Sequence, residues 1–271
     1  MPARLRFDEI GYWSEIKLEV LKKYAEAYST ILSKKRLSYV YIDAFAGPGV
    51  HISKKTREPV LGSPLRALEV SPSFHEYHLI DIKAEKIESL KNLVGSRKGV
   101  FLYKGDCNAI LLDRVFQNVQ YNHFRRGLCI LDPYGLHLKW SVIARAGQMR
   151  SLDMFLNFPV MAINRNVLWH NPEKVDPSDI AQMNAFWGDS SWRDIAYSTR
   201  RGLFEPLVEK EPNEVVAEAF RERLRKVAGF ARVPEPLPMR NSKGAVVYYL
   251  FFASQVAVAE KIARHIFAKY R

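Results

Sequence analysis

The sequence has little of what would mark a secreted, membrane-bound or metal-binding protein. Its 271 residues include two cysteines, Cys107 and Cys129, which lie far apart in apolar, strand-like surroundings. This spacing suits neither a disulfide framework nor a metal site. The first residues lack the apolar stretch of a signal peptide, and the longest apolar run, residues 245–253, is too short to span a bilayer. We therefore expect a soluble cytoplasmic protein with no membrane partner and no bound metal.

Acidic residues are also in the minority. The chain has 29 Asp and Glu against 41 Lys and Arg, which gives a net charge of +12. A basic surface attracts polyanions, so we expect nucleic acid, either DNA or RNA, to be a partner. Plain solubility and an acidic protein partner are the alternatives.

Apolar strands alternate with helical segments over the first 160 residues. The strands are expected at residues 39–42, 77–80, 100–103, 128–131 and 154–156, and the helices between them at residues 83–94, 108–116 and 141–149. Such alternation is typical of a parallel sheet with right-handed crossovers. We predict an α/β, Rossmann-like fold with a mostly parallel central sheet and helices on both faces.

The whole chain, residues 1–271, is expected to form a single domain of this kind. A helical segment at residues 1–37 precedes the sheet, with an amphipathic helix starting near Ser14. Residues 160–212 show no strand alternation and are predicted to form a helical or irregular insertion on the site side. Residues 213–271 are predicted to complete the sheet as a helix, a strand and a helix.

Each expected strand has an acid or an amide at, or just beyond, its carboxyl end. These residues are Asp43, Asp81, Asp106, Asp132 and Asn157. A single such residue could be only a helix cap. Because the carboxyl ends of parallel strands share one edge of the sheet, five in series predict a polar site there.

The first strand runs into Asp43-Ala44-Phe45-Ala46-Gly47-Pro48-Gly49. Glycines in such a turn allow a ligand to approach the backbone closely. The pattern resembles the first motif of class I S-adenosylmethionine (SAM) methyltransferases, and a buried strand entering a tight turn is the alternative. The resemblance implies a SAM site made by Asp43, Phe45, Gly47, Gly49, Asp81 and Asp106. In that site Asp43 faces the ammonium group, Asp81 the ribose hydroxyls and Asp106 the adenine amine.

A second motif, Asp132-Pro133-Tyr134-Gly135, follows the fourth strand. It resembles the Asp-Pro-Pro-Tyr motif of methyltransferases that act on adenine, in which the acid and a backbone carbonyl accept hydrogens from the amine and the tyrosine stacks on the base. The resemblance implies that Asp132, Pro133 and Tyr134 are catalytic. The second proline is missing, so Tyr134 comes one residue early. A cis-proline or a tight turn that holds the strand end is the alternative.

Residues 51–59 are polar and basic, and we predict a loop there that overhangs the mouth of the pocket. Lys54, Lys55 and Arg57 are candidates for contacts with substrate phosphates. The alternative is an ordinary surface loop. Ser63 and Pro64 are expected at the cap and the first position of the next helix.

Taken together, the chain resembles the three-Cys-motif partner protein family, whose members are methyltransferase-like. The resemblance rests on the helix at residues 16–24, the two motifs above, Gly62-Ser63-Pro64, Asn157-Phe158 with Ile163-Asn164-Arg165, and Phe186-Trp187-Gly188. It implies a radical-SAM-like protein partner and adds Lys17, Ser63, Asn164 and Arg165 to the substrate-binding candidates. The order of the motifs is also similar to that of a bacterial ribosomal-RNA adenine methyltransferase family.

Three hypotheses follow. The first is a SAM-dependent methyltransferase that acts on nucleic acid, at an amino group of a base. The second is a non-catalytic or repurposed partner of a radical-SAM-like protein in nucleic-acid repair or modification. The third, a magnesium-dependent nuclease, fits less well because the acids are spread over separate strand ends.

Overall fold

The computed structural model describes residues 8–200 and 207–271. The strands in chain order are β1 (Asp8–Ile10), β2 (Ser38–Asp43), β3 (Val50–Ser53), β4 (Pro59–Leu61), β5 (Glu76–Asp81), β6 (Val100–Lys104), β7 (Arg125–Leu131), β8 (Leu152–Phe158), β9 (Tyr197–Arg200), β10 (Leu207–Lys210), β11 (Leu237–Arg240) and β12 (Val246–Ala253). The helices are α1 (Tyr12–Ser33), α2 (Ser63–Leu68), α3 (Ala84–Val94), α4 (Cys107–Ile110), α5 (Trp140–Met149), α6 (Val160–Asn166), α7 (Pro177–Trp187), α8 (Trp192–Ala196), α9 (Asn213–Lys226) and α10 (Ala257–Phe267).

The central sheet has seven strands in the order β11-β12-β8-β7-β2-β5-β6. The five strands from β8 to β6 are parallel, whereas β12 is antiparallel to both β8 and β11. The sheet is therefore mixed and mostly parallel. The parallel strands define two edges, which we call the carboxyl edge, where they end, and the amino edge, where they begin.

Both faces of the sheet are covered by helices, as predicted. Alternate residues of a strand point to opposite faces, so β2 contributes Val40 and Ile42 to one core and Tyr39 and Tyr41 to the other. The first core is completed by side chains of α5, α7 and α9, and the second by side chains of α1, α3 and α10. Since both faces are buried, each β2 residue from Tyr39 to Asp43 is shielded from water.

Helix α1 spans the sheet from one edge to the other. Its apolar face includes the buried residues Val20, Leu21, Tyr24 and Tyr28, which matches the predicted helical spacing. The helix begins beside the carboxyl edge and ends shortly before β2 starts at the amino edge. Lys17 in its second turn is thereby placed at the ends of the central strands.

The prediction of a loop over residues 51–59 was wrong. Strands β3 and β4 form an antiparallel hairpin there, and β1 pairs in parallel with β3 to make a separate three-stranded sheet. Only the tip, residues 54–58, is a turn, and the hydroxyl of Ser53 accepts hydrogen bonds from the backbone N–H groups of Lys55 and Thr56. Short strands with so many charged neighbours carry little apolar periodicity, which is why the sequence did not indicate them.

Three further predictions need correction. The segment 1–37 was expected to be helical, but it contains the strand β1 ahead of α1, and its residues 1–7 lie outside the described part of the chain. The insertion contains the antiparallel pair β9 and β10, although no strand was expected in residues 160–212; residues 201–206 of the insertion lie outside the described part of the chain. Residues 213–271 were expected to form a helix, a strand and a helix, but they contain the additional strand β11, which pairs with β12, so this segment is helix, strand, strand and helix. The helix expected at residues 108–116 is α4 followed by the π-helical turn Leu111–Val115.

Within residues 8–200 and 207–271, no helix is both long enough and apolar enough to cross a membrane.

Candidate functional site

The turn after β2 is organised by the buried carboxylate of Asp43. This carboxylate accepts hydrogen bonds from the hydroxyl of Ser63 at 2.6 Å, the backbone N–H of Phe45 at 3.2 Å and the hydroxyl of Tyr41 at 3.3 Å. Burial raises the pKa of Asp43 from 3.8 to about 6, although these donors oppose the shift. Ser63 therefore donates its hydroxyl hydrogen bond to Asp43 and does not cap α2, because the cap position of α2 is occupied by Gly62.

The glycine turn is joined to the end of β5. The carboxylate of Asp81 accepts hydrogen bonds from the backbone N–H of Gly47 at 3.0 Å and of Lys83 at 2.9 Å. Gly47 and Gly49 have φ angles of 68° and 89°, which disfavour any other residue. A Cβ atom on Gly49 would lie 2.9 Å from the side chains of Leu90 and Leu93. The turn therefore requires glycine for its conformation, and at Gly49 also for space.

Two other cofactor candidates lie at the borders of this region. Phe45 is partly buried and packs against the core on one face of the sheet. Asp106 is exposed and caps α4, with one oxygen accepting from the backbone N–H of Asn108 at 3.0 Å and from its side-chain amide at 2.8 Å. Its other oxygen forms no hydrogen bond with the described residues.

Asp132, at the end of β7, is held from two sides. One carboxylate oxygen accepts from the side-chain amide of Asn157 at 2.8 Å, and the other forms a salt bridge with the ammonium group of Lys17. Burial, the largest single influence, would lower the pKa of Lys17, but the charge and hydrogen bond of Asp132 together with the nearby Tyr248 and Asp43 outweigh it and raise this pKa. The ring of Tyr248 lies 5.4 Å from the same nitrogen and adds a cation–π contact. Lys17 therefore keeps its charge and fixes the orientation of Asp132.

Tyr134 projects from the site into solvent. Its side chain is 78% exposed, and the ammonium group of Lys86 lies 5.9 Å from the centre of its ring. Pro133, the residue before it, is buried. The Asp132–Pro133 peptide bond is trans, since the cis bond among the described residues is Ser71–Pro72. The alternative of a cis-proline at this motif was therefore wrong.

Two buried polar atoms beside the site have no hydrogen-bond partner in the described part of the chain. They are the side-chain oxygen of Asn157 and Nδ1 of His51. Burial lowers the pKa of His51, so its ring is neutral and each nitrogen can donate or accept according to its tautomer. Asn157 was expected as a strand end, whereas His51 was not a candidate, because β3 had not been predicted. An unpaired buried polar atom is costly unless a ligand or water pairs with it.

The basic candidates Lys54, Lys55 and Arg57 are exposed at the tip of the β3–β4 hairpin. Arg57 forms a salt bridge of 2.5 Å with Glu9 of β1, and the ammonium group of Lys55 lies 5.7 Å from the ring of Tyr12. The hairpin starts directly after the glycine turn and places His51 3.5 Å from where a Cβ of Gly47 would be. Its base therefore borders the site, and its tip carries the positive charge.

Asn164 and Arg165 contact neighbouring helices and strands rather than the acids at the strand ends. Asn164 in α6 donates a hydrogen bond to Asn213 at 2.9 Å and accepts one from Lys210 at 2.8 Å, which links α6 to β10 and α9. Arg165 is exposed and donates to its neighbour Asn166 at 3.2 Å. Their assignment to the substrate stays a prediction.

The two cysteines are buried and free. Burial raises the pKa of Cys107 to about 12, so its thiol is protonated. In the part of the chain that the structure describes, no three His, Cys, Asp or Glu side chains cluster closely enough to hold a metal ion.

Comparison with known proteins gives the fold and no family. No family model matches the chain, and no curated protein matches it. Its structure is similar to the crystal structure of protein LPL1258 from Legionella pneumophila str. Philadelphia 1, of the DUF519 family. The two chains are 12% identical, the similarity covers 93% of this chain and 92% of the other, and the TM-score is 0.54. Likeness at this level of identity establishes a shared α/β architecture.

Proposed function

We propose that this chain is a SAM-dependent methyltransferase that acts on an amino group of a nucleic-acid base. The observation that carries the proposal is that the glycine turn and the carboxylate of Asp132 lie at the same edge of the sheet. The glycine turn joined to Asp81 offers a nucleoside-binding surface, and Asp132, clamped by Lys17 and Asn157, offers an oriented acceptor of hydrogen bonds beside it.

The strand order supports this proposal. Numbered along the chain, the parallel strands β6-β5-β2-β7-β8 follow the order 3-2-1-4-5 of doubly wound nucleotide-binding sheets. In such sheets ligands bind beyond the carboxyl ends, where the order reverses, which here is between β2 and β7. That place lies between the Asp43 turn and Asp132. We propose that the fold is a Rossmann-like class I methyltransferase fold.

The residues at the edge fit SAM, which when bound would supply an electrophilic methyl group. Gly47 and Gly49 keep the turn free of side chains. Asp81 retains acceptor capacity for two ribose hydroxyls after its two backbone hydrogen bonds, and the free oxygen of Asp106 can accept from an amine. Asp43 is enclosed, so we assign it to shaping the turn and to attracting an ammonium group by its charge.

The acceptor motif suits an exocyclic amine. An ionised Asp132 and the carbonyl of Pro133 can accept its two hydrogens, which directs the nitrogen lone pair away from them, and Lys17 keeps the carboxylate in place. Tyr134 is exposed enough to stack on a base that has left its own stack. Lys54, Lys55 and Arg57 at the hairpin tip can contact the phosphates.

The second candidate function is a repurposed partner of a radical-SAM-like protein, as the resemblance to the three-Cys-motif partner family implies. One observation favours it. Both carboxylate oxygens of Asp132 already have partners within the chain, so an amine would compete with Lys17 or Asn157 for them.

Transfer of a labelled methyl group from SAM to total RNA and to denatured DNA tests the proposal. We expect transfer by the wild type, and loss of at least about 100-fold in Asp132→Ala, because the acceptor loses its orienting carboxylate. Asp113→Ala, which removes an exposed acid away from the site, is the matched control and should retain the wild-type rate. Absence of transfer by the wild type, with SAM bound, would leave the partner function as the better account.

A further inference from the structure

We infer that the amino edge of the sheet is a second nucleic-acid surface, which binds a single strand at the side opposite the candidate site. The five parallel strands begin at this edge, so the segments that precede them come together there. Strands of five to seven residues separate the two edges by about 20 Å. The inference concerns binding alone and does not depend on methyl transfer.

Positive charge collects at this edge. The segments that precede β2, β6 and β8 contribute six exposed cations, none of which forms a salt bridge with the described residues: Lys34, Lys35, Arg36, Arg97, Lys98 and Arg150. Glu76, the acid that begins β5, is neutralised by Arg125 at 2.5 Å. The six cations therefore face solvent with their charge uncompensated, which is the electrostatic footprint of a polyanion site.

Exposed aromatic rings lie among these cations. Phe124, directly before β7, is 68% exposed, and Tyr121 is 55% exposed. The carbonyl of Phe124 accepts a hydrogen bond from the backbone N–H of Ser38 at 3.1 Å, which places this residue beside the chain that leaves the basic segment 34–36. The guanidinium group of Arg126 lies 3.8 Å from the centre of the Tyr121 ring. Core packing does not account for the exposure of either ring.

A third ring completes the row. Phe101, the second residue of the edge strand β6, is 44% exposed and stacks on the buried ring of His78, with centroids 5.1 Å apart and planes 13° from parallel. The ring is therefore fixed on its inner face and open on its outer face. Cations interleaved with rings of this kind suit unpaired bases and their backbone, because every base has a stacking face.

The size of the edge fits a short strand. The starts of β6, β5, β2, β7 and β8 lie side by side, and neighbouring strands are about 4.8 Å apart, which gives a row of about 20 Å. An anionic bilayer would be attracted by the same charges. However, rings that are held against guanidinium and imidazole groups offer one flat outer face, which suits stacking on a base better than insertion into lipid. The rings therefore favour a single-stranded nucleic acid over a membrane.

The test is the binding of fluorescein-labelled eight-nucleotide uridine and thymidine oligomers to the full chain, followed by fluorescence anisotropy over a range of salt. The charge variant is Lys34→Gln with Lys35→Gln and Arg36→Gln. We expect it to bind at least about 10-fold more weakly at 0.1 M salt, and its slope of log K against log salt to be about 2 units shallower, since each single-strand phosphate contact contributes about 0.7. The control, Lys243→Gln with Lys261→Gln and Lys269→Gln, removes the same charge from exposed positions elsewhere and should keep the wild-type slope.

A second variant separates stacking from charge. Phe124 has a φ of 56°, and asparagine tolerates this left-handed conformation, so Phe124→Asn should fold. We expect its affinity to fall about 10-fold at both low and high salt with an unchanged slope, because stacking carries no counterion term. Thermal unfolding of each variant should match that of the wild type.

Three results would overturn the inference. The first is that the charge variant loses no more affinity for the oligomers than its control does. The second is that Phe124→Asn binds the oligomers as tightly as the wild type. The third is that the chain binds phosphatidylserine vesicles and not the oligomers. Calorimetry with SAM on the charge variant should match the wild type. If the wild type does not bind SAM, that result counts against the proposed function and leaves this inference standing.

Discussion

Single side chains decide whether the candidate site stays ordered, and the pair of Lys17 and Asp132 is the clearest case. The side chain of Lys17 is 11% exposed and that of Asp132 is 29% exposed, so the pair is mostly removed from water. An ion pair of this kind adds little net stability, but removing one partner leaves the other charge buried without compensation.

We therefore predict that Lys17→Met destabilises the fold by about 2 kcal/mol, below the range for fully buried pairs because Asp132 is partly solvated. Urea unfolding measures the change. The double variant with Asp132→Asn should lose less than the sum of the two single variants, since the second change removes the orphaned charge. Additive losses would show that the two side chains do not depend on each other.

Asp43 gives a prediction of pH dependence. Its pKa rises from 3.8 in the unfolded chain to about 6 in the fold, because burial disfavours the carboxylate. The folded state therefore binds the proton more tightly, and stability is lost as pH rises from about 4 to about 6, by about 3 kcal/mol in total. Asparagine cannot ionise.

We accordingly expect the stability of the wild type relative to Asp43→Asn to fall by about 3 kcal/mol between pH 4 and pH 7, as measured by urea unfolding at each pH. Asp113→Asn controls for the loss of one negative charge at an exposed position. A difference between wild type and Asp43→Asn that does not change with pH would contradict the account of Asp43 as a buried acid.

At the scale of elements, α5 and the segment after α9 touch through their backbones. A Cβ atom on Gly147 of α5 would lie 2.0 Å from the carbonyl oxygen of Ala228, a distance that no side-chain movement relieves. The glycine therefore sets how closely α5 packs.

We predict that Gly147→Ala destabilises the chain by about 3 kcal/mol, the upper range for overpacking of a well-packed core. The neighbouring Gly229→Ala is the matched control. Gly229 has a φ of 84°, and an added Cβ atom would have no other atom within 4 Å. The Gly229→Ala change should therefore cost only about 1 kcal/mol, from backbone strain. Denaturant unfolding compares the two; equal losses would mean that α5 can move away from Ala228.

The elements that the sequence predicted are those with strong apolar periodicity. The five parallel strands, the acids at their ends and α1 all follow from buried runs such as Tyr39–Ile42, where packing and local preference agree. Strands β3, β4, β9 and β11 are three or four residues long and are stabilised mainly by pairing with a partner, which no local pattern records. The consequence for the site was that His51 was missed.

The geometry of the site could be predicted only in part. Parallel topology is sufficient to bring Asp43, Asp81 and Asp132 to one edge. The partners of those acids were not predictable. Lys17 is 115 residues from Asp132 along the chain, and Ser63 is brought beside Asp43 by the β3–β4 hairpin, which the sequence did not indicate.

At the scale of the whole molecule, the two edges of the sheet have different characters. The carboxyl edge presents acids whose carboxylates are held by backbone and side-chain donors, whereas the amino edge presents uncompensated cations and exposed rings. For a chain of net charge +12 that separates its charges in this way, we propose a SAM site on one side and a surface for single-stranded nucleic acid on the other. Both would be engaged by a nucleic acid that wraps the protein.

The central claim is that the carboxyl edge binds SAM, and isothermal calorimetry of the purified full chain tests it most directly. We predict micromolar binding by the wild type and by Asp113→Asn, and binding at least about 10-fold weaker in Asp81→Asn, because the amide loses the acceptor capacity that two ribose hydroxyls require. No heat from the wild type at millimolar SAM, or equal affinity in Asp81→Asn, would contradict the account.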